Sequence, residues 1–189
     1  MAGIFTFSYY TFLEGTISPD EIIGHAVKEK YPYAVLTDRN GMYGLIQFYG
    51  KAIAEGIKPV LGSLIDDPSD KLLNAVFLAK NRDGYSEICR LITARKLNDE
   101  FSILTYLRNP SPDLFIISSS FEIIQLASEH RELKDNFYAG LTASKAGRLN
   151  NRRNYEYCKT RGIKFAAMNP VVFASPEDYN IHKTVTAIR

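Results

Sequence analysis

The side chains able to do chemistry stand in short groups just after apolar runs. Ser8-Tyr9-Tyr10 follow residues 4–7, Asp38-Arg39-Asn40 follow Ala34-Val35-Leu36-Thr37, Ser63 follows Gly62, and Asn169 precedes Pro170-Val171-Val172. Together they offer one carboxylate, one guanidinium and a ring of hydroxyls and aromatics. A hydrolytic metal centre needs several imidazoles and carboxylates to replace the hydration of its ions and to hold a nucleophilic water. A single carboxylate does not supply that. Asp38 therefore reads either as a remnant ligand or as a structural carboxylate that pairs with Arg39 or caps the turn at Asn40-Gly41. Arg39 either binds a phosphate or fills the cleft as an ion-pair partner.

Metal ligands are scarce elsewhere too. The chain has 3 histidines and 2 cysteines. His25 and His182 fall in expected helices and His130 at a charged helix end. Cys89 and Cys158 form no Cys-x-x-Cys and read as small buried residues in helices, so neither a disulfide framework nor a thiolate zinc site is indicated.

The elements that must position these groups alternate. Apolar runs at 4–7, 33–37, 59–64, 72–79, 114–118, 137–141 and 164–167 predict strands buried on both faces, as in a largely parallel sheet. Between them lie amphipathic stretches. Ser18-Pro19-Asp20-Glu21 is a capping box with proline at the first helical position, opening a helix towards Lys30. Residues 45–55, 85–95 and parts of 101–107, 121–129 and 148–161 read as further helices, and Ser175-Pro176-Glu177-Asp178 opens the last. Strands and helices in this alternation suit either a (β/α) barrel or an open doubly wound sheet, and in both the reactive groups collect at strand carboxyl ends.

Bulk properties exclude more than they identify. At 189 residues, 46% apolar and 23% charged, the chain is long enough for one domain, residues 1–189, and is not disordered. A formal net charge of +2 names no nucleic-acid or membrane partner. No run approaches the ~18–20 apolar residues of a membrane span, and the first residues lack a basic signal-peptide region. A cytoplasmic protein with no membrane partner is the expectation.

Five ordered blocks carry a resemblance. Ser8-Tyr9-Tyr10-Thr11-Phe12-Leu13-Glu14-Gly15 with Ser18-Pro19-Asp20-Glu21, then Ala34-Val35-Leu36-Thr37-Asp38, then Gly56-Ile57-Lys58-Pro59-Val60-Leu61-Gly62 are similar to the PHP (polymerase and histidinol phosphatase) domain. The similarity is to the version at the N-terminus of bacterial DNA polymerase III alpha subunits. Leu78-Ala79-Lys80-Asn81 with Gly84-Tyr85 and Ile88-Cys89-Arg90-Leu91 extend it. Gly162-Ile163-Lys164, Asn169, Pro176-Glu177-Asp178, His182 and Ala187-Ile188-Arg189 complete it. The resemblance implies a distorted (β/α)7 TIM-like barrel of the PHP type.

The departures fall on the ligand positions. The family pattern implies His-x-His where Phe5 and Phe7 stand, Asp-His at Asp38-Arg39, a glutamate at Leu64 and Asp-x-His at Pro170-Val171-Val172. Of these ligands only Asp38 remains, leaving Asp38 and Arg39 as a vestigial cleft. Phe5, Phe7, Leu64 and Val172 either pack at the barrel mouth or form an apolar pocket. The resemblance thus implies a domain without catalysis, metal or other cofactor. Its role would be to support the core in the remainder of a DNA polymerase III alpha chain and to dock a proofreading exonuclease, meeting primer-template DNA indirectly. The polymerase active site would lie outside this chain. A metal-dependent phosphoesterase or 3′–5′ exonuclease is the alternative.

One stretch stands apart. Residues 145–164 hold Lys145, Arg148, Arg152, Arg153, Lys159, Arg161 and Lys164 against Glu156 alone. On a continuous helix Lys145, Arg148, Arg152 and Lys159 share a sector. That stripe is either a solvated face or a contact for DNA or an acidic partner, as in a stand-alone nucleic-acid-binding module.

Overall fold

A computed structural model describes residues 3–143 and 147–188 as a mixed α/β protein. The chain divides into two compact units, residues 1–63 with 170–189, and residues 64–169.

In the first unit, helix α1 (Pro19–Lys28) opens as its sequence dictates. The Ser18 hydroxyl accepts from the Glu21 amide, and the Glu21 carboxylate accepts from the Ser18 amide at 2.7 Å. Such a cap is worth about 1 kcal/mol. Ile22, Ile23 and Ala26 on one face of α1 pack with Ala34 and Leu36 of β1 (Tyr33–Leu36) and with Phe48 and Ala52 of α2 (Leu45–Ala54). Strand β2 (Lys58–Asp66) pairs in parallel with β1, Tyr33 opposite Lys58 and Leu36 opposite Leu61.

The strand expected at residues 4–7 is reduced to isolated parallel bridges, Thr6 with Val171 and Ser8 with Ile17. The cause is local. The Thr37 hydroxyl accepts from the Thr6 amide at 2.8 Å and donates to the Thr6 carbonyl, so a side chain takes the place of a ladder rung. The expected last helix begins as a 3-10 turn at Pro176–Asp178, capped by Ser175, and becomes helix α8 at Tyr179–Ala187.

The second unit holds β3 (Asn74–Ala79), β4 (Leu114–Ser118), β5 (Phe137–Leu141) and β6 (Lys164–Ala167). β3 and β4 are antiparallel, with Val76 opposite Ile117, an exception to the expected parallel order. β4–β5 and β5–β6 are parallel. β3 starts two residues later than its apolar run suggests, because Leu72 lies in an exposed turn. Helices α3 (Arg82–Leu97), α4 (Ile103–Tyr106), α5 (Phe121–Glu129), α6 (Arg131–Asn136) and α7 (Arg148–Arg161) complete the unit. α3 starts three residues earlier than its apolar face suggests, since Asn81 caps the Gly84 amide. α7 ends at Gly162, whose φ of 64° is open to glycine without Cβ strain. Its core is apolar, with Phe77, Ile88, Ile103, Leu114, Ile116, Ile123 and Phe137 all fully buried. Cys158 is buried, whereas Cys89 is only half-buried. No helix among the described residues is long and apolar enough to cross a membrane.

Candidate functional site

The rim groups of the first unit converge on Asp38, which is 1% exposed. β1 carries the chain to Thr37, and Asp38 follows at the strand end with its carboxylate turned inward. Oδ1 accepts from the Ser8 amide at 2.7 Å, from Thr11 Oγ1 at 2.8 Å and from Ser8 Oγ at 3.0 Å, while Oδ2 accepts from Ser8 Oγ at 2.8 Å. Burial pushes the Asp38 carboxyl above its ordinary pKa, and the bonds from Ser8 and Thr11 offset only part of that cost.

Asp38 does not pair with Arg39, nor does its side chain cap the following turn. Asn40 enters the left-handed region at φ 48°, which its short polar side chain tolerates. The turn is tied instead by Ser63, whose hydroxyl donates to the Asp38 carbonyl at 2.8 Å and accepts from the Gly41 amide at 3.3 Å.

Arg39 turns to Glu14. Its Nε and Nη2 donate to Oε1 and Oε2 at 2.8 and 2.9 Å, a side-on bidentate pair. The guanidinium lies 5.6 Å from the Phe7 ring centroid. The Phe5 and Phe7 rings meet edge to face at 4.8 Å, both buried. The segment at Val172 lies alongside: the Phe7 amide donates to the Val171 carbonyl, and Thr16 donates to the Val172 carbonyl through both its amide and its hydroxyl. Val172 is half-buried and Pro170 exposed. Leu64 is buried in the second unit.

Ser8, Thr11 and Glu14 carry no expected role, yet they do most of the work. They recur every third residue in a turning segment, buried at each step, while Tyr9, Tyr10 and Phe12 point outward. The spacing Ser-x-x-Thr-x-x-Glu was the available signal. His182 on α8 adds to the clamp, its Nδ1 lying 3.0 Å from the Glu14 carbonyl oxygen. Among the described residues no three His, Cys, Asp or Glu side chains gather in a group that could hold a metal ion.

Of the basic residues, Arg148, Arg152, Arg153 and Lys159 all lie exposed on α7. Arg153 is turned aside, its guanidinium 4.0 Å from the Phe121 ring centroid. Lys145 lies outside the described residues.

This is the fold of amidohydrolase-type α/β proteins. An amidohydrolase from Chromobacterium violaceum superposes with a TM-score of 0.53 at 13% identity, covering 97% of this chain and 96% of that one. The PHP domain model matches residues 6–162, and the chain belongs to the PHP domain family. Relatives named DNA polymerase III subunit alpha include that of Buchnera aphidicola, 26% identical over 211 residues and covering 96% of this chain. That of Ureaplasma parvum is 34% identical over 117 residues, 62% of this chain. The matches span 18% and 11% of those two proteins, so the chain corresponds to less than a fifth of their length.

Proposed function

We infer that this chain is a metal-free, non-catalytic PHP domain of a DNA polymerase III alpha-type protein. It acts in DNA replication by supporting the polymerase core in the remainder of that chain and by docking a proofreading exonuclease. Primer-template DNA is met through that core, in the cytoplasm, and the domain is a single (β/α)7-type barrel over residues 1–189.

The observation that carries this reading is the set of groups that surround Asp38. The Ser8 amide and the Ser8 and Thr11 hydroxyls take three of the roughly four acceptor sites of its carboxylate, and what is left of one carboxylate does not hold a catalytic ion. The other family ligand positions reinforce it. Phe5, Phe7, Leu64, Pro170 and Val172 offer no donor atoms, and Arg39, bound to Glu14, has a guanidinium with no lone pair to give a metal. The residues present therefore do not fit the hydrolytic metals of the family, and no catalytic step runs through them.

A combined assay tests the reading. The chain, supplied with zinc, manganese or iron, is expected to show no chelator-sensitive hydrolysis of a phosphodiester, yet to co-elute with the cognate proofreading exonuclease in size-exclusion chromatography. Chelator-sensitive turnover would establish the phosphoesterase alternative, and failure to co-elute would remove the docking role.

A further inference from the structure

The outward stripe of α7 is not absorbed by any role of the Asp38 rim. At about 100° per residue, Arg148, Arg152, Tyr155 and Lys159 fall within a sector of about 60°, and the stripe runs about 16 Å along the helix. All four are exposed. The cationic groups of Arg148, Arg152 and Lys159 meet no carboxylate within ion-pair distance among the described residues.

Tyr155 adds what a solvated charged face does not need. Its ring stacks on that of Phe165 in β6 with centroids 5.2 Å apart and an interplanar angle of 26°. Tyr155 remains 42% and Phe165 36% exposed. Beside Phe165 lies a shallow cavity of about 340 Å³ lined by Leu141, Thr142, Ala143, Ala166 and Asn169. Exposed parallel rings flanked by uncompensated cations are the two elements that single-strand binders combine, since bases stack on aromatics and phosphates meet the charges. A duplex hides its base faces and would use only the cations.

We propose that the α7 stripe of Arg148, Arg152 and Lys159, with the Tyr155–Phe165 stack, is a binding surface for single-stranded nucleic acid. The phosphates lie along the helix and a base stacks on the exposed rings. The surface lies wholly within the second unit, and the proposal does not depend on whether the Asp38 rim holds a metal.

Fluorescence anisotropy with labelled oligothymidylate and oligouridylate tests it on the whole chain. With about 0.7 counterions released per phosphate contact, three contacts lower the affinity roughly 20-fold between 50 and 200 mM salt. The triple variant Arg148→Gln, Arg152→Gln, Lys159→Gln is expected to flatten that slope and to lose most of the binding. Tyr155→Ala is expected to weaken binding roughly 5- to 150-fold at an unchanged salt slope, and Tyr155→Phe to restore it. Circular dichroism checks that these surface variants stay folded. Binding of either oligonucleotide in this pattern supports the proposal. It is overturned by absence of salt-dependent binding, by full affinity in the triple variant or in Tyr155→Ala, or by displacement with duplex DNA or polyglutamate as effective as with the unlabelled single strand.

Discussion

Replacing Asp38 by alanine and by asparagine separates a structural carboxylate from a working one. Alanine removes the acceptor of the Ser8 amide and of the Ser8 and Thr11 hydroxyls. A buried amide left unpaired costs about 1–3 kcal/mol, and two hydroxyls that can rotate add about 1 kcal/mol each, so Asp38→Ala is expected to lose about 3–5 kcal/mol. Asparagine keeps Oδ1 as acceptor for the Ser8 amide and Thr11, and its amide nitrogen can donate to Ser8 Oγ. It also removes the cost of burying a charge, so Asp38→Asn is expected within about 1 kcal/mol of the parent at neutral pH. The pH dependence gives a second reading. Burial raises the folded-state pKa of Asp38 above its ordinary 3.8, so the folded state holds the proton more tightly than the unfolded chain. The stabilising contribution of that proton is fully present below pH 3.8 and is lost as pH rises through the folded-state pKa. Relative to Asp38→Asn, the parent should lose stability over that rise. Urea unfolding of the parent and both variants from pH 4 to pH 8 measures this. Equal damage from asparagine and alanine, or a parent that gains on Asp38→Asn as pH rises, would refute the reasoning.

Other consequences are open to the same unfolding assays. Glu14→Ala removes the bidentate partner of the half-buried Arg39 guanidinium and is expected to cost about 1–3 kcal/mol, with much of the loss recovered in the swapped pair Glu14→Arg, Arg39→Glu. At Gly15 a Cβ would lie 2.1 Å from the Ser8 carbonyl oxygen. Gly15→Ala must therefore displace the backbone that presents Ser8 to Asp38, at a cost of about 1–3 kcal/mol or more. Asp67 behaves oppositely to Asp38. Burial pushes its carboxyl up, but bonds from the Ser69 hydroxyl, the Ile103 and Ser69 amides and the charge of Arg95 outweigh that and hold it below 3.8. Its contribution is present above pH 3.8 and lost as pH falls through the folded-state value, so the deficit of Asp67→Asn should be largest near neutrality and close in acid.

Most elements of the fold were legible because apolar runs and caps act locally. The Ser18 box opens α1, which stops two residues short of Lys30, and residues 121–129 and 148–161, expected to be helical in part, are helical throughout. Two of the failures share a cause: a side chain stood in for a backbone rule. Thr37 intercepts the Thr6 amide and removes a strand, and Asn81 caps α3 ahead of its apolar face. At the rim, the carboxylate at Asp38 and the apolar groups at Phe5 and Phe7 were visible from their types. The partners were not, because Arg39 lies next to Asp38 in sequence but reaches Glu14, twenty-five positions away. Only the turning segment 8–14 brings Ser8, Thr11 and Glu14 inward together, with Leu13 held at φ 61° just before Glu14. Hydroxyls spaced by three in a turn carry little signal without the strand end they face.

Metal content tests the central claim most directly. The chain is produced in medium supplemented with zinc, manganese and iron, purified without chelator, and assayed by inductively coupled plasma mass spectrometry beside the Asp38→Asn variant. A lone carboxylate already held by Ser8 and Thr11 predicts metal well short of one ion per chain, equal in parent and variant. Stoichiometric metal in the parent that falls in Asp38→Asn would contradict it.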